Sequence, residues 1–214
     1  MNAGIIVAAG LGKRFNNKIP KQFISINGKE ILAFSVKTFF NHPKINELII
    51  VCHKKWLKNV KKCYPYCKVV VGCEFRKDSS MNGINAVSNE IENVLIHDAA
   101  RPLISVEIIS RCLDQLKDYD ATAPILDSTN SLIEIKNNQI KPINRDQIKS
   151  VQTPQCFKLK HIKKIFSHDV TGTDEISMML NVEPNSKINF VQGSIKNLKI
   201  TNQQDLQIIK SFLK

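Results

Sequence analysis

Aromatic residues are scarce in this chain, at 7% of positions with a single Trp. So few rings, with no Arg-rich run beside them, argue against a nucleic-acid groove built on base stacking. No apolar run reaches the roughly 18 residues that a membrane-crossing helix needs. There is no C-x-x-C and no paired Cys/His spacing, which removes the usual zinc patterns. The six cysteines, Cys52, Cys63, Cys67, Cys73, Cys112 and Cys156, are scattered and read as reduced thiols. No signal or transit segment precedes the first apolar strand. These absences predict a cytoplasmic protein with neither membrane nor nucleic acid as partner.

What is present is an ordinary globular composition: 43% hydrophobic and 23% charged residues over 214 positions. That length suits one domain, 1–214, with an ample core. The net charge of +12 suggests an anionic partner, although lysines spread over a solvated surface give the same number. Of 31 basic residues only Arg14, Arg76, Arg101, Arg111 and Arg145 are arginines. Arg offers a planar fork for phosphates and carboxylates that Lys cannot copy, so each of the five is a candidate functional residue.

The chain is organised around Val7-Ala-Ala-Gly-Leu-Gly-Lys-Arg14 and Pro20-Lys-Gln22. Ala3 to Ala8 is apolar without alternation and predicts a strand buried on both faces. Ala9, Gly10 and Gly12 then carry side chains that are tiny or absent, so backbone N–H groups can approach an anion. Lys13, Arg14, Lys18 and Lys21 follow at once. A polyphosphate fits this pattern; a plain strand-to-helix turn with a solvated basic edge is the competing reading. The loop is neither a P-loop nor G-x-G-x-x-G, because Gly10-Leu-Gly12 lacks the third glycine.

Strands are predicted at 47–52, 68–71, 93–97 and 120–125, with helices at 30–40, 54–63, about 80–89 and 105–116 between them. Asp78 or Ser79 is in position to cap the third helix, and Ser105 the fourth. The alternation predicts an α/β, Rossmann-like, mostly parallel sheet with helices on both faces. In such sheets ligands bind beyond the carboxyl ends of the strands, where Ala9–Arg14, Gly72–Ser79 and His97–Pro102 all fall. After Ile125 the pattern breaks. Residues 131–136 and 139–144 flank Asn137-Asn138, a two-residue hairpin turn, and predict a protruding β-arm, 127–148. That arm packs on another subunit or is a loose excursion. Pro154 argues against a regular central strand around 150–157. Helices are expected at 158–166, to about 181 (capped by Thr173 or Asp174) and from Thr201 or Asn202 to about 213. Strands are expected at 187–191 and 197–200.

Five motifs taken together carry a resemblance. They are Ala8-Ala-Gly-x-Gly-x-Arg14 with Pro20-Lys-Gln22, Arg76-x-x-Ser79 with Asn82-Gly83, His97-Asp-Ala-Ala-Arg-Pro102, Thr153-Pro-Gln155, and Asn197-Leu-Lys-Ile-Thr201. In this order, over almost the whole chain, they resemble the 2-C-methyl-D-erythritol 4-phosphate cytidylyltransferase family of non-mevalonate isoprenoid biosynthesis. The resemblance implies transfer of a cytidylyl group from CTP to a polyol phosphate, with Mg²⁺ as cofactor. It implies catalytic roles for Arg14, Lys21, Lys199 and Arg145. CTP is expected against Ala8, Ala9, Gly10, Gly12, Gly72, Cys73, Ser79, Asp98 and Ala99, with Asp98 as metal ligand. Ser128, Arg145 and Arg101 are expected at the acceptor. Arg145 would reach the site of a neighbouring subunit, which makes the arm a homodimer contact. His97 reads as a packed strand-end residue without a role. Arg76 either fixes its loop or touches ligand.

Three positions depart from the family pattern. Cys73 stands where a second glycine is usual, and would be strained if that backbone had φ above zero. Asn130 replaces a lysine and Lys196 an acidic or small residue, both near the acceptor end. A ribitol 5-phosphate cytidylyltransferase is the nearest rival; a basic nucleic-acid-binding module is a distant one.

Overall fold

The computed structural model describes residues 1–12, 15 and 19–213. In chain order the first half contains β1 (Asn2–Ala8), β2 (Ser25–Ile26), β3 (Lys29–Glu30), α1 (Ile31–Phe40), β4 (Glu47–Cys52), α2 (Leu57–Cys63), β5 (Lys68–Val71), α3 (Arg76–Asn85), β6 (Asn93–Asp98) and α4 (Val106–Gln115). The second half contains β7 (Ala121–Asp127), β8 (Leu132–Lys136), β9 (Gln139–Ile143), β10 (Lys149–Val151), β11 (Gln155–Lys158), α5 (Leu159–Phe166), α6 (Glu175–Val182), β12 (Ile188–Gln192) and α7 (Gln203–Phe212).

Eight strands form one sheet in the order β10-β7-β11-β6-β1-β4-β5, with β12 on the other edge of β7. β6, β1, β4 and β5 run parallel, as the alternation predicts. Because side chains alternate along each strand, consecutive residues feed opposite faces. Ile6, Ile50 and Leu95 join Leu32, Val36 and Phe39 of α1 and Ile109 of α4 on one face. Ile5, Ile49 and Ile96 join Ile84 of α3, Ile162 of α5 and Met179 of α6 on the other. Phe39 and Phe157 are fully buried, each removal from water worth about 2–3 kcal/mol.

The caps follow local chemistry. Ser105 accepts the Ile108 N–H to begin α4. Asp174 and Ser177 form a reciprocal capping box on α6, and Asn202 and Asp205 one on α7. Asn137 and Asn138 both take positive φ, 50° and 63°, as a type I′ turn requires. The hairpin β8–β9 is a separate two-stranded sheet. Its cross-strand pairs Ile135–Ile140 and Ile133–Pro142 share one face, and the three isoleucines are 57–70% exposed.

The structure corrects four local expectations. The third helix starts at Arg76, not Ser80; its N-cap is Phe75, without a side-chain cap. Asp78 and Ser79 lie inside the helix, and its first residue, Arg76, is ion-paired to Asp98 and Glu175. The predicted helix 54–63 begins as a 3-10 turn over Lys54–Trp56 and becomes α-helical only at Leu57. Gln155–Lys158 is a central strand, antiparallel to both β6 and β7. Pro154 interrupts the sheet edge only between β10 and β11, since pairing resumes at the next residue. Residues 197–200 form no strand: Ile200 N–H goes to the Ala100 carbonyl and Asn197 N–H to Ser194, so the segment is an irregular loop.

Candidate active site

The carboxyl ends of β1 and β6 open into a cleft of about 270 Å³. Its floor is Val7, Ala8, Gly10 and Gly12. Gly12 has φ +66°, which a side chain would strain. Gln22, buried behind the loop, donates its Nε2 to the carbonyls of Ala8 (2.6 Å) and Gly10 (2.9 Å). With those carbonyls turned back toward Gln22, the loop is held from behind. Lys21 also lines the cleft, and its Nζ donates to the Ile200 carbonyl. Arg14, with Lys13 and Lys18, lies outside the described residues.

One wall is the 72–75 loop with the first turn of α3. A Cβ at Gly72 would stand 2.4 Å from the Ala9 Cβ and 2.9 Å from Ser79 Oγ, so glycine is required by close packing. Ala9 and Gly72 therefore support the wall by contact with each other. Cys73 does not take a positive φ, so the strain considered above is absent. Its N–H donates to Ser79 Oγ at 3.0 Å, and its sulfur accepts from Asn82 Nδ2. The Ser79 hydroxyl in turn reaches the carbonyls of Cys73 and Phe75. Ser79 is nearly inaccessible and ties the loop to the first turn of α3.

The centre of the cleft is Asp98, the last residue of β6. Its Oδ1 accepts from Arg76 Nε at 2.8 Å and its Oδ2 from Lys199 Nζ at 2.6 Å. Burial alone would raise the Asp98 pKa, but the charges of Arg76 and then Lys199 outweigh it and hold the carboxyl well below its usual range. Arg76 continues backward: Nη1 meets both oxygens of Glu175, at 2.6 and 2.7 Å. Glu175 is fully buried and also accepts from Ser80 Oγ at 2.6 Å. Ala99 and Ala100 complete this side of the cleft, and Thr201 its rim.

His97 lies beneath. Thr153 Oγ1 accepts the Asp98 N–H at 3.2 Å, so its own proton goes to His97 Nδ1, 3.0 Å away. That leaves His97 Nε2 to donate to the Arg101 carbonyl at 3.0 Å. Burial drives the His97 pKa down to about 4, so the ring is a neutral packing element, as the sequence suggests. Arg101 does not line the cleft. Its Nη1 donates to the Asn197 carbonyl at 2.7 Å, and with Asn197 Nδ2 on the Thr153 carbonyl it pins the loop that carries Lys199. Ser128 and Arg145 are also outside the cleft. They share a shallow exposed depression with Asp127, Thr129, Asp146 and Lys149 at the base of the hairpin.

Two residues of the centre escape a sequence reading. Gln22 sits inside the Pro20-Lys-Gln22 motif, but its role as a loop anchor has no local signal. Glu175 is a carboxylate opening an apolar helix, a pattern that a helix N-terminus explains by itself. Only its burial shows that it needs a cation.

The sequence profile of one family, 2-C-methyl-D-erythritol 4-phosphate cytidylyltransferase, matches residues 3–214. The chain belongs to this family. It is an α/β nucleotidyltransferase of the cytidylyltransferase kind. A cytidylyltransferase of that name from Clostridium botulinum (strain 657 / Type Ba4) is 35% identical, over 99% of this chain and 97% of its own length. The solved structure of 4-diphosphocytidyl-2C-methyl-D-erythritol synthase from Anaerococcus prevotii superposes with TM-score 0.89 at 26% identity, covering 100% of this chain and 96% of that one. A further relative is 34% identical over 97% of this chain, the bifunctional ribulose 5-phosphate reductase/CDP-ribitol pyrophosphorylase of Haemophilus influenzae. This chain spans about half of it, 47%. No helix among the described residues is long and apolar enough to cross a membrane.

Proposed function

We propose that the cleft joins CTP to 2-C-methyl-D-erythritol 4-phosphate and releases pyrophosphate. A phosphate oxygen of the acceptor attacks the α-phosphorus of CTP, and the bond to the bridging oxygen of the β-phosphate breaks in line. A phosphate monoester is already an anionic nucleophile, so the protein's task is positioning and charge neutralisation. The observation that carries this reading is Asp98 flanked by Arg76 and Lys199 above a floor of small, uncharged residues.

In this reading Ala8, Ala9, Gly10, Gly12, Gly72, Cys73, Ser79 and Ala99 shape the nucleotide pocket, and small side chains there leave room for a pyrimidine. Lys21 and Arg14 hold the triphosphate and its transition state, and Lys199 the α-phosphate. Arg101, outside the cleft, serves the same end by fixing the Lys199 loop. Among the described residues no three His, Cys, Asp or Glu side chains stand together as a metal cage. The cleft lining offers two carboxylates, buried Asp98 and exposed Glu74, and so few beside a triphosphate suit Mg²⁺, which takes few protein ligands and completes its shell from phosphates and water. Asp98 would hold it, and Mg²⁺ would neutralise charge on the departing pyrophosphate.

Ser128 and Arg145 are assigned to the acceptor bound by a partner subunit, and the apolar face of Ile133, Ile135, Ile140 and Pro142 to the homodimer contact. What supports this is the exposure of that face and the absence of both residues from the chain's own cleft lining. Six free thiols support a reducing, cytoplasmic setting.

The test is pyrophosphate release from CTP and Mg²⁺ with methylerythritol phosphate, and with ribitol 5-phosphate in parallel. Release with the first alone is expected. Release with ribitol 5-phosphate alone would keep the chemistry and move the acceptor to the class that the Haemophilus influenzae relative names.

A further inference from the structure

Behind Asp98 and Lys199 lies a second ion pair, Arg76 with Glu175. Glu175 is fully buried, from the first turn of α6, and never faces the cleft. Removing a carboxylate from water without function is costly, and burying an ion pair gives little net stability. Its surroundings are nonetheless elaborate. Arg76 Nη1 meets both of its oxygens, Ser80 Oγ a third time. The start of α6 is fastened to β11: Gln155 donates to Asp174 Oδ2 at 2.8 Å and accepts the Ile176 N–H at 3.0 Å.

We propose that Glu175 is a positioning residue for cytidylyl transfer: by holding the fork end of Arg76 from behind, it makes Arg76 present only its Nε to Asp98. This rests on the functional reading of the preceding section. The consequence lies in how Asp98 divides its oxygens. Oδ1 is fixed by an arginine that is itself anchored. Oδ2 is held by Lys199, whose side chain is 36% exposed and sits on a loop. Lys199 is therefore the cation that can exchange when a triphosphate arrives, and Arg76 is the one that cannot. Arginine suits this task because its planar group holds donors in fixed, different directions, so one end can be clamped while Nε faces the other carboxylate. Without Glu175 the fork is free to turn forward and close on both oxygens of Asp98 in the bidentate mode. Asp98 would then be neutralised at both oxygens and lost to the nucleotide end of the cleft.

Glu175→Gln tests this with little change of volume. Its amide N–H₂ faces the Arg76 N–H groups, donor against donor, and pushes the fork forward. The wild-type protein is first assayed for pyrophosphate release, which tests the functional reading by itself; Glu175 is then judged only by ratios to wild type with whichever polyol phosphate turns over. CTP binding is followed without acceptor by the fluorescence of Trp56, which stacks on Phe23 at 4.5 Å just after Lys21 and Gln22.

The expected result is a kcat lowered about 10- to 30-fold while CTP affinity changes less than about 3-fold, the signature of a misplaced group and not of lost binding. Adding Glu175→Gln to Arg76→Lys should cost nothing further, because both act through one guanidinium. Wild-type kcat in folded Glu175→Gln would overturn the proposal. So would equal loss of kcat and CTP affinity, or additive effects in the double variant. If Glu175→Gln fails to fold, Ser80→Ala decides: it removes one donor to Glu175 and leaves its charge. A kcat lowered about 3-fold at unchanged thermal midpoint would support the proposal, and wild-type turnover would overturn it.

Discussion

Arg76 and Arg145 are the same residue in opposite settings. Arg76 sits between two carboxylates with little or no exposure, and its direction is fixed by its own chain. Arg145 is exposed at the foot of the hairpin, where its Nη1 donates to the Thr129 carbonyl at 2.9 Å and its neighbours are Asp127, Asp146 and Lys149. The first arginine is part of a finished centre. The second is part of a surface that gains meaning only from a second molecule. The same contrast holds for apolar residues. The isoleucines of β1, β4 and β6 are buried to the last, whereas Ile133, Ile135 and Ile140 line one open face of the hairpin.

The largest expected effect comes from breaking the finished side. Arg76→Ala would leave two buried carboxylates without their shared cation, and should destabilise the fold by about 3–5 kcal/mol in denaturant titration. Arg145→Ala should leave stability unchanged within about 0.5 kcal/mol. A small loss for Arg76→Ala would mean that Arg76 is not the keystone of the body.

The body should also be sensitive to acid where the hairpin is not. His97 is buried and its pKa falls from 6.5 to about 4. A depressed folded-state value means that the unfolded chain binds the proton first. Stability is therefore full above about pH 6.5 and is lost as pH falls toward 4, by up to about 3 kcal/mol. The lowered pKa of Asp98 acts in the same direction, below the ordinary Asp value of 3.8. Denaturant titrations at pH 7.5 and 4.5 measure the loss, and His97→Gln should flatten the upper part of it.

Lys21→Ala should lower kcat by about 10²-fold, well beyond its effect on CTP affinity. An unchanged kcat would remove Lys21 from the transition state. Arg145→Ala sharpens the comparison from the other side: KM for the polyol phosphate should rise about 10-fold with CTP affinity nearly constant. Ile135→Lys, placed on the open face, should shift a dimer to monomer in light scattering and lower turnover with it. A monomer that keeps full activity would leave the hairpin without a part in the site.

Much of the body is legible in the sequence because it is written in local patterns. The unbroken apolar run at 3–8, the small residues at 8–12 and the cations that follow mark a strand and a phosphate-sized loop before any fold is known. Asn137-Asn138 marks a hairpin turn, since Asn tolerates positive φ. The family resemblance adds Asp98 and Lys199, and the structure brings them within 2.6 Å. Other features leave no such trace. Lys199 reads as a strand residue, yet its segment is a loop pinned by Arg101 and Thr153. Arg76 reads as a loop residue, yet it starts α3 and there meets two carboxylates distant in sequence.

What the sequence by itself determined is the alternation of strands and helices, the loop of small residues beyond the first strand, and the family. Those depend on period, on side-chain volume and on backbone freedom within a few neighbouring residues. What only the tertiary structure decided is which charges meet. Arg76 finds Asp98 22 residues away and Glu175 99 residues away. An ion pair depends on the last few ångströms of approach, and that approach is set by the sheet order that places β6 between β1 and β11. No local pattern records that order, so the exchangeable Lys199 and the anchored Arg76 become distinguishable only once the chain is folded.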